Sequence, residues 1–149
     1  MNDSVRLSLR LLATSRLIER EVDALMRAEF DSTIARFDFL AALDRHGPLT
    51  LGEVSQFLLV SNGNVTQLRT RLSADGLIEA SQDQNDRRVQ RVRLTRQGES
   101  VFKQMAKAHG RCVDALLRDL TKAEKNALSR LLDAAKASLR RKLTKGAAP

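Results

Sequence analysis

The sequence predicts a mainly α (α+β) fold with one β-hairpin. Apolar residues recur at spacings of three, four or seven towards both ends of the 149-residue chain, which is the pattern of amphipathic helices. Shorter segments with a helical pattern lie near the middle. A run with alternating β-branched residues follows at residues 89–94, directly after a cluster of turn formers, and this order indicates a hairpin.

The first part of the chain predicts two helices. A long amphipathic helix covers about residues 4–29, with its apolar residues on one face. The second helix runs from about Thr33 to His46, because Gly47 and Pro48 follow and end it.

The middle of the chain predicts two shorter helices. Thr50 caps the first of them, and Glu53, three residues later, completes a capping box. After a break at Val60, Ser61 caps the second helix, which ends at Gly76. The inward face of this second helix is apolar and consists of Val65, Leu68 and Leu72.

Residues 85–95 (NDRRVQRVRLT) are rich in arginine. Five arginines fall within residues 87–96, and no acidic residue interrupts them. Turn formers occupy residues 82–86, so we expect a hairpin with a cationic tip, a shape suited to lie against a polyanion such as DNA. Together with the two short helices before it, this hairpin predicts a winged helix-turn-helix.

The last part of the chain predicts two more helices. One covers about residues 96–119, and the next begins after Thr121, which forms a capping box with Glu124. Both helices carry a face that is too apolar to be exposed to solvent, so we expect a homodimer. Only residues 144–149 are expected to lack structure. The expected organisation is one intertwined domain, in which a DNA-binding lobe at residues 33–96 lies between dimerisation helices at residues 1–32 and 97–149.

Composition limits the classes of function. The formal net charge is +8, and residues 61–149 carry nineteen Lys and Arg against nine Asp and Glu. The chain has no run of eighteen apolar residues and no signal-peptide pattern, so we expect a cytoplasmic protein without a membrane partner. One cysteine and two distant histidines give no disulfide and predict neither a metal site nor a cofactor. No nucleophile elbow, phosphate loop or paired catalytic carboxylates indicate an enzyme.

Two segments, LTLGEVSQFLLVSNGNVTQLRTRLSADGLIEA and DRRVQRVRLTRQG, resemble the multiple-antibiotic-resistance regulator (MarR) family of bacterial transcription factors. The resemblance covers about residues 33–100. The wing signature of that family is an aspartate two residues before an arginine, with Leu-Thr closing the second strand, and it is met by Asp86, Arg88, Leu94 and Thr95. The resemblance implies a homodimer in which the first, fifth and sixth helices of each subunit interlock and leave a DNA-reading lobe on each side.

The expected DNA contacts come from the helix after Ser61 and from the hairpin. Amide side chains can bond bidentately to adenine, so Asn62, Asn64 and Gln67 are expected to read bases. Arg71, further along the helix with Arg69, either holds a phosphate or braces the wing through Asp86. The alternative is a merely solvated polar face.

The resemblance places Arg88 at the wing position that enters the minor groove, where a narrow A·T-rich groove attracts guanidinium groups. Arg87 and Arg91 are expected to touch phosphates. The complete set of expected DNA contacts is Ser61, Asn62, Asn64, Gln67, Arg69, Arg71, Arg87, Arg88 and Arg91.

Regulators of this resemblance usually sense a small aromatic or anionic molecule in a crevice between the dimer helices and the reading lobe. His109 falls on an apolar helical face where an imidazole needs a partner, although a satisfied core histidine is the alternative interpretation. The expected effector is an aromatic acid or its thioester with coenzyme A. The candidate ligand contacts are Arg10, Ser15, Met26, Phe30, Phe37 and His109.

The sequence therefore predicts a sequence-specific transcriptional regulator, a repressor that a small organic ligand releases from an inverted-repeat operator. Two alternatives stay open. One is a non-specific architectural DNA-binding protein, which would share the basic charge. The other is a redox sensor acting through Cys112, although burial on an apolar face makes a thiol less reactive.

Overall fold

The computed structural model describes residues 2–58 and 64–146, with side chains as far as residue 143. Within these ranges the chain forms six helices and two strands: α1 (Asp3–Phe30), α2 (Ile34–His46), α3 (Leu51–Phe57), α4 (Val65–Ala74), β1 (Ile78–Gln82), β2 (Gln90–Leu94), α5 (Arg96–Leu116) and α6 (Lys122–Gly146). The predicted mainly α fold with one hairpin is confirmed. The chain divides into two compact units between Val113 and Asp114. The expected functional division at residues 32 and 96 stays a prediction.

Most of the predicted helix boundaries are confirmed by their hydrogen bonds. The Thr33 hydroxyl accepts from the Arg36 N–H at the start of α2, and Gly47, with φ at 77°, ends that helix. At α3 the Thr50 N–H donates to the Glu53 carboxylate over 2.8 Å, and the Glu53 N–H donates to the Thr50 hydroxyl over 3.1 Å. Thr121 and Glu124 make the same reciprocal pair before α6.

Two predicted boundaries are wrong. Helix α4 begins at Val65 with Asn64 as its N-cap, rather than at a Ser61 cap, and Ser61 itself lies outside the described residues. Helix α6 continues to Gly146, whereas disorder was expected from Thr144 onwards. The backbone of residues 144 and 145 can remain helical, because the first strong helix breaker in this region is the glycine that follows them.

The core of the first unit surrounds α2. Phe39 and Leu40 of this helix are fully buried, together with Met26 of α1, Leu72 of α4 and Met105 of α5. Because α2 is covered on several sides, it serves as the central helix against which the others pack.

The hairpin is fixed to the helical core at its base. Ile78 of β1 and Val92 of β2 are buried in the same cluster as the helices. Leu49, just before α3, exchanges both backbone hydrogen bonds with Val92, at 3.0 and 2.8 Å. The register of the two antiparallel strands runs from Ile78 opposite Leu94 to Gln82 opposite Gln90. This pairing projects residues 83–89 away from the core as the wing tip.

The apolar face of α5 is largely covered within its own unit. Met105 is buried, and Phe102 stacks on Phe37 of α2 with ring centroids 5.6 Å apart. Up to Val113, the apolar residues of this face are buried or partly buried against the core of their own unit, and the expected homodimer stays a prediction. The element that covers this face of α5 is α2, because α2 has apolar residues on more than one side.

The second unit contains α6. Its leucines are exposed, and none of the described side chains from residue 114 to residue 143 is buried. The exposed leucines are Leu128, Leu131, Leu132, Leu139 and Leu143. Among the helices that the structure describes, none combines the length and apolar character needed to cross a membrane.

Candidate nucleic-acid interface

Helix α4 presents one polar face to solvent. Leu72 is buried and Leu68 is partly buried against the core, which fixes the rotation of the helix. Gln67 and Arg71, four residues apart, are exposed together on one side of the helix. Arg69 is half-buried. Of the predicted contacts on this helix, Gln67 and Arg71 are therefore the most accessible.

Asn64 caps α4 with the side chain that was expected to read a base. Its Oδ1 accepts hydrogen bonds from the Thr66 and Gln67 N–H groups, at 3.1 and 3.3 Å. A bidentate contact with adenine uses both the oxygen and the nitrogen of the amide, so the cap competes with it. The capped geometry leaves the Asn64 amide nitrogen as the group that can donate to a base. Asn62 and Ser61 lie outside the described residues.

Arg71 makes an ion pair with the C-cap residue of its own helix. Its Nε donates to the Asp75 carboxylate over 3.2 Å. Asp86, the expected partner of Arg71 in bracing the wing, instead accepts from Arg88. The bracing role is therefore wrong, because a nearer carboxylate one helical turn away serves Arg71.

The wing tip places Arg88 in solvent. Its side chain is 92% exposed, and Asp86 Oδ1 accepts from both the backbone N–H and the Nε of Arg88, at 3.0 and 3.2 Å. This local turn explains the spacing of the wing signature, because an aspartate two residues earlier can bond both groups. Arg87 beside it is also exposed. The two adjacent arginines form the cationic tip of the hairpin.

Arg91 lies at the base of the wing, between two carboxylates. Its Nε donates to Asp83 Oδ1 and its Nη1 donates to Glu53 Oε2, each over 2.7 Å. The side chain is only 26% exposed, unlike that of Arg88. The structure thus gives Arg91 a bracing position between the hairpin and α3, and its expected phosphate contact stays a prediction. Sequence reasoning missed Glu53 as a partner, because its capping box already explains an acid there and 38 residues separate the pair.

These contacts lower the pKa values of both carboxylates, Asp83 and Glu53. The Arg91 guanidinium and the Asn85 N–H hold the pKa of Asp83 below its ordinary value. The Thr50 N–H lowers the pKa of Glu53, and Arg91 adds to that effect. Both groups therefore stay ionised around neutral pH, where they hold the arginine.

The Leu-Thr end of β2 ties the wing to α5. The Thr95 hydroxyl donates to the Gly76 carbonyl over 2.7 Å and accepts from the Gly98 N–H over 2.9 Å. Gly98 lies so close to Leu77 that a Cβ on the glycine would overlap the Leu77 carbonyl oxygen. The start of α5 consequently packs directly on the backbone that precedes β1.

A small cavity of about 200 Å³ lies between α1, α2 and α5. It brings together three of the predicted ligand contacts, Ser15, Phe37 and His109. Arg10, Met26 and Phe30 are not part of its lining: Arg10 is exposed nearer the start of α1, Met26 is fully buried, and Phe30 packs on the core. The lining residues that sequence reasoning missed are Ile18, Glu19, Val22, Ile34 and Asp38.

His109 packs on Phe37 inside this cavity, with ring centroids 4.9 Å apart. Burial lowers the pKa of its imidazole. The neutral ring is therefore favoured, and an aromatic neighbour takes the place of the polar partner that the sequence led us to expect. Cys112, one turn further along α5, is half-buried against the core.

A second, larger recess of about 560 Å³ lies between α1, α2 and α4. Asn64, Gln67 and Arg71, three of the predicted DNA contacts, contribute to its lining. We call it the arginine recess, because its lining includes Arg16, Arg20, Arg27, Arg36 and Arg71. Sequence reasoning missed it, since these arginines are spread over 56 positions and share no motif.

The chain resembles known regulators over different lengths. A sequence model of the MarR family matches residues 30–89. A helix-turn-helix-type transcriptional regulator of Bacillus cereus is 34% identical over 73 residues, which are 49% of this chain and 48% of that protein. The chain thus matches about half the length of the first curated relatives.

Solved structures match over nearly the whole chain. A MarR family transcriptional regulator from Silicibacter pomeroyi has a TM-score of 0.80 and 29% identity, covering 93% of this chain and 99% of that one. BpsR of Bordetella bronchiseptica, whose DNA binding is regulated by 6-hydroxynicotinic acid, has a TM-score of 0.69 and 28% identity, with 83% and 90% covered. In its helix-turn-helix, its Asp86–Arg88 wing and its sequence over residues 30–89, the chain is similar to the MarR family of transcriptional regulators.

Proposed function

We propose that this protein is a cytoplasmic, homodimeric repressor that binds an inverted-repeat operator and releases it when a small aromatic ligand binds. The observation that carries the DNA-binding part is the wing tip. Asp86 orients Arg88 while the guanidinium stays exposed, and the hairpin base is held to the core through Leu49 and Val92. An exposed arginine on a hairpin that is fixed at its base is suited to insert into a narrow minor groove.

The exposed face of α4 supplies the proposed base contacts. Gln67 and Arg71 would enter the major groove, and Asn64 would add its amide nitrogen. Arg87 would contact phosphate at the wing. Asn62 and Ser61 precede this face in sequence and remain proposed contacts, while Arg69 is less accessible.

The cavity between α1, α2 and α5 is the proposed effector site. Its volume of about 200 Å³ exceeds the roughly 150 Å³ of an apolar cavity known to hold benzene, so it suits a single ring. Phe37 and His109 offer ring faces to such a ligand. The regulation of BpsR by 6-hydroxynicotinic acid, a single-ring acid, supports this class of effector.

The charge around the cavity limits where an acid group of the effector can lie. Glu19 and Asp38 line the cavity and disfavour a second carboxylate beside them. Glu19 and Ile34 also line the arginine recess, so a carboxylate reaching that way would meet guanidinium groups. Only the acyl ring of a coenzyme A thioester would fit the cavity, and its phosphates would have to lie outside.

The DNA-binding proposal is tested by capturing genomic fragments on the purified protein and sequencing them. An inverted repeat with half-sites about one helical turn apart is expected, because two identical lobes read identical sequences. Arg88→Ala should weaken binding strongly, while Gln67→Ala should relax base preference at about 1–3 kcal/mol. Arg96→Ala, at an exposed position outside the wing tip, is the matched control. Equal affinity for all fragments would favour the architectural alternative instead.

The effector proposal is tested with a panel of aromatic acids and their thioesters, added to the operator complex. Release by a single-ring acid is expected, and Phe37→Ala should abolish it without preventing operator binding. Peroxide and zinc serve as controls. Release by peroxide that disappears in Cys112→Ser, without a response to any organic compound, would favour the redox alternative.

A further inference from the structure

The arginine recess carries more positive charge than its local acids balance. Five arginines line it, against the two carboxylates Glu19 and Asp23. Asp23 is already engaged, since its two oxygens accept from the Ile34 N–H at 2.9 Å and from Arg27 Nε at 2.7 Å. Glu19 is the other carboxylate of the lining, and two acids outside the lining, Glu21 and Asp75, pair with Arg20 and Arg71.

The arginines of the recess differ in their partners. Arg20 and Arg27 each pair with a carboxylate on α1, and Arg71 pairs with Asp75, the C-cap of α4. Among the residues that the structure describes, Arg16 and Arg36 have no carboxylate partner, and Arg36 donates only to the Asp31 backbone carbonyl over 3.3 Å. These two guanidinium groups, one on α1 and one on α2, are available to an external anion.

The recess adjoins the surface proposed to read DNA. Asn64 and Gln67 from the first turn of α4 line it, and so does Arg71. A helix in the major groove lies between two phosphate backbones, and arginine is well suited to hold phosphate oxygens bidentately.

We infer that the arginine recess is a phosphate-binding site, in which Arg16 and Arg36 hold a phosphodiester of the operator backbone beside helix α4. This inference rests on the proposed DNA-binding function and assigns the backbone contacts to α1 and α2, outside the helix-turn-helix and wing. The position of Gln67 and Arg71 in the same lining favours DNA over a small phosphate ester as the source of the phosphate.

The test compares the salt dependence of operator binding between two double variants. Arg16→Gln with Arg36→Gln removes the two unpaired charges of the recess. Arg6→Gln with Arg45→Gln removes one exposed arginine from each of the same helices, outside the recess. The slope of log affinity against log salt should fall by about 0.9 for each phosphate that the recess variant no longer binds, and stay unchanged in the control. The preference for operator over scrambled DNA should persist, because a phosphate contact carries no base information.

Arg16→Gln alone guards against misfolding in the double variant, because Arg36 also holds the α1–α2 junction through Asp31. An unchanged salt slope in both recess variants, with normal operator binding, would overturn the inference and leave the proposed function intact. Failure of the unmutated protein to prefer any operator would overturn the proposed function itself. Coenzyme A is the probe for a small phosphate ester: if it loses affinity in the recess variants while the operator slope stays unchanged, DNA is the wrong source.

Discussion

Leucines have opposite environments in the two compact units. Leu40 and Leu72 in the first unit are 0% and 1% exposed, whereas Leu132 and Leu139 in the second are 43% and 65% exposed. The first unit therefore has a core of its own. Helix α6 has an apolar stripe that its own unit does not cover, and a helix of this kind gains its stability from packing against another surface. The difference indicates that the two units depend on partners to different degrees.

The largest expected effect comes from breaking the apolar stripe of α6. Leu132→Glu with Leu139→Glu would place two charges where we expect the second protomer, so the dimer should give way to monomers or unfolded chains. Analytical ultracentrifugation at micromolar concentration measures this. Asn126→Glu with Ala137→Glu adds the same charges on the opposite face of the helix and should leave the dimer intact. A well-folded monomer of the unmutated protein would contradict the prediction.

The next effect lies inside the first unit, at Gly98. Ala at this position would overlap the Leu77 carbonyl, so Gly98→Ala should lower the free energy of unfolding by about 1–3 kcal/mol. Gly110→Ala in the same helix is the control, because open space surrounds that position, and it should raise stability by about 0.5–1 kcal/mol. Urea denaturation measures both. If the two variants change the free energy of unfolding by the same amount, the close approach of Gly98 to Leu77 does not affect stability.

A smaller effect should follow from removing the wing brace. Arg91→Ala should increase amide hydrogen exchange in residues 83–90 several-fold and weaken operator binding modestly, since partly exposed ion pairs contribute little free energy. Arg93→Ala removes an arginine of the same strand that pairs only across the hairpin, with Glu79, and should change exchange less. Equal amide hydrogen exchange in both variants would show that Arg91 stabilises the wing no more than Arg93 does.

The smallest effect concerns His109. Because burial lowers its pKa, the folded protein disfavours the protonated ring, and this contribution to stability is complete above the ordinary histidine pKa of 6.5. It should be lost as pH falls through the lowered folded value. Between about pH 7.5 and pH 5.5 the urea midpoint should therefore fall less in His109→Gln than in the unmutated protein. The acidic groups that line the same cavity as His109 are Glu19 and Asp38. His46→Gln, at an exposed histidine, is the control, and an equal reduction there would contradict the assignment.

The features that could be predicted from the sequence are those with local signals. Thr50–Glu53, Thr121–Glu124 and Gly47 mark helix ends within three or four residues. The start of α4 was misplaced because Ser61 and Asn64 both suit an N-cap, and only the fold selects between them.

The features that the sequence could not predict depend on tertiary packing. Phe37 was expected as a ligand contact, but its packing against Phe102 and His109 of α5 could not be predicted. The partners of Arg91 and the arginine recess likewise join separate elements. Periodicity and spacing within one helix give no information about contacts between separate elements.

The single oxygen Glu53 Oε2 accepts from both the Thr50 N–H and the Arg91 guanidinium, at 2.8 and 2.7 Å. The hairpin is therefore not an interchangeable module. A wing transplanted from a relative without an arginine at position 91 would leave this carboxylate half-satisfied. Conversely, this wing moved into a host without an acid at position 53 would keep the Arg91–Asp83 pair but lose the second carboxylate that holds Arg91. Engineering chimeric regulators from this chain would require positions 53, 83 and 91 to be exchanged as a set.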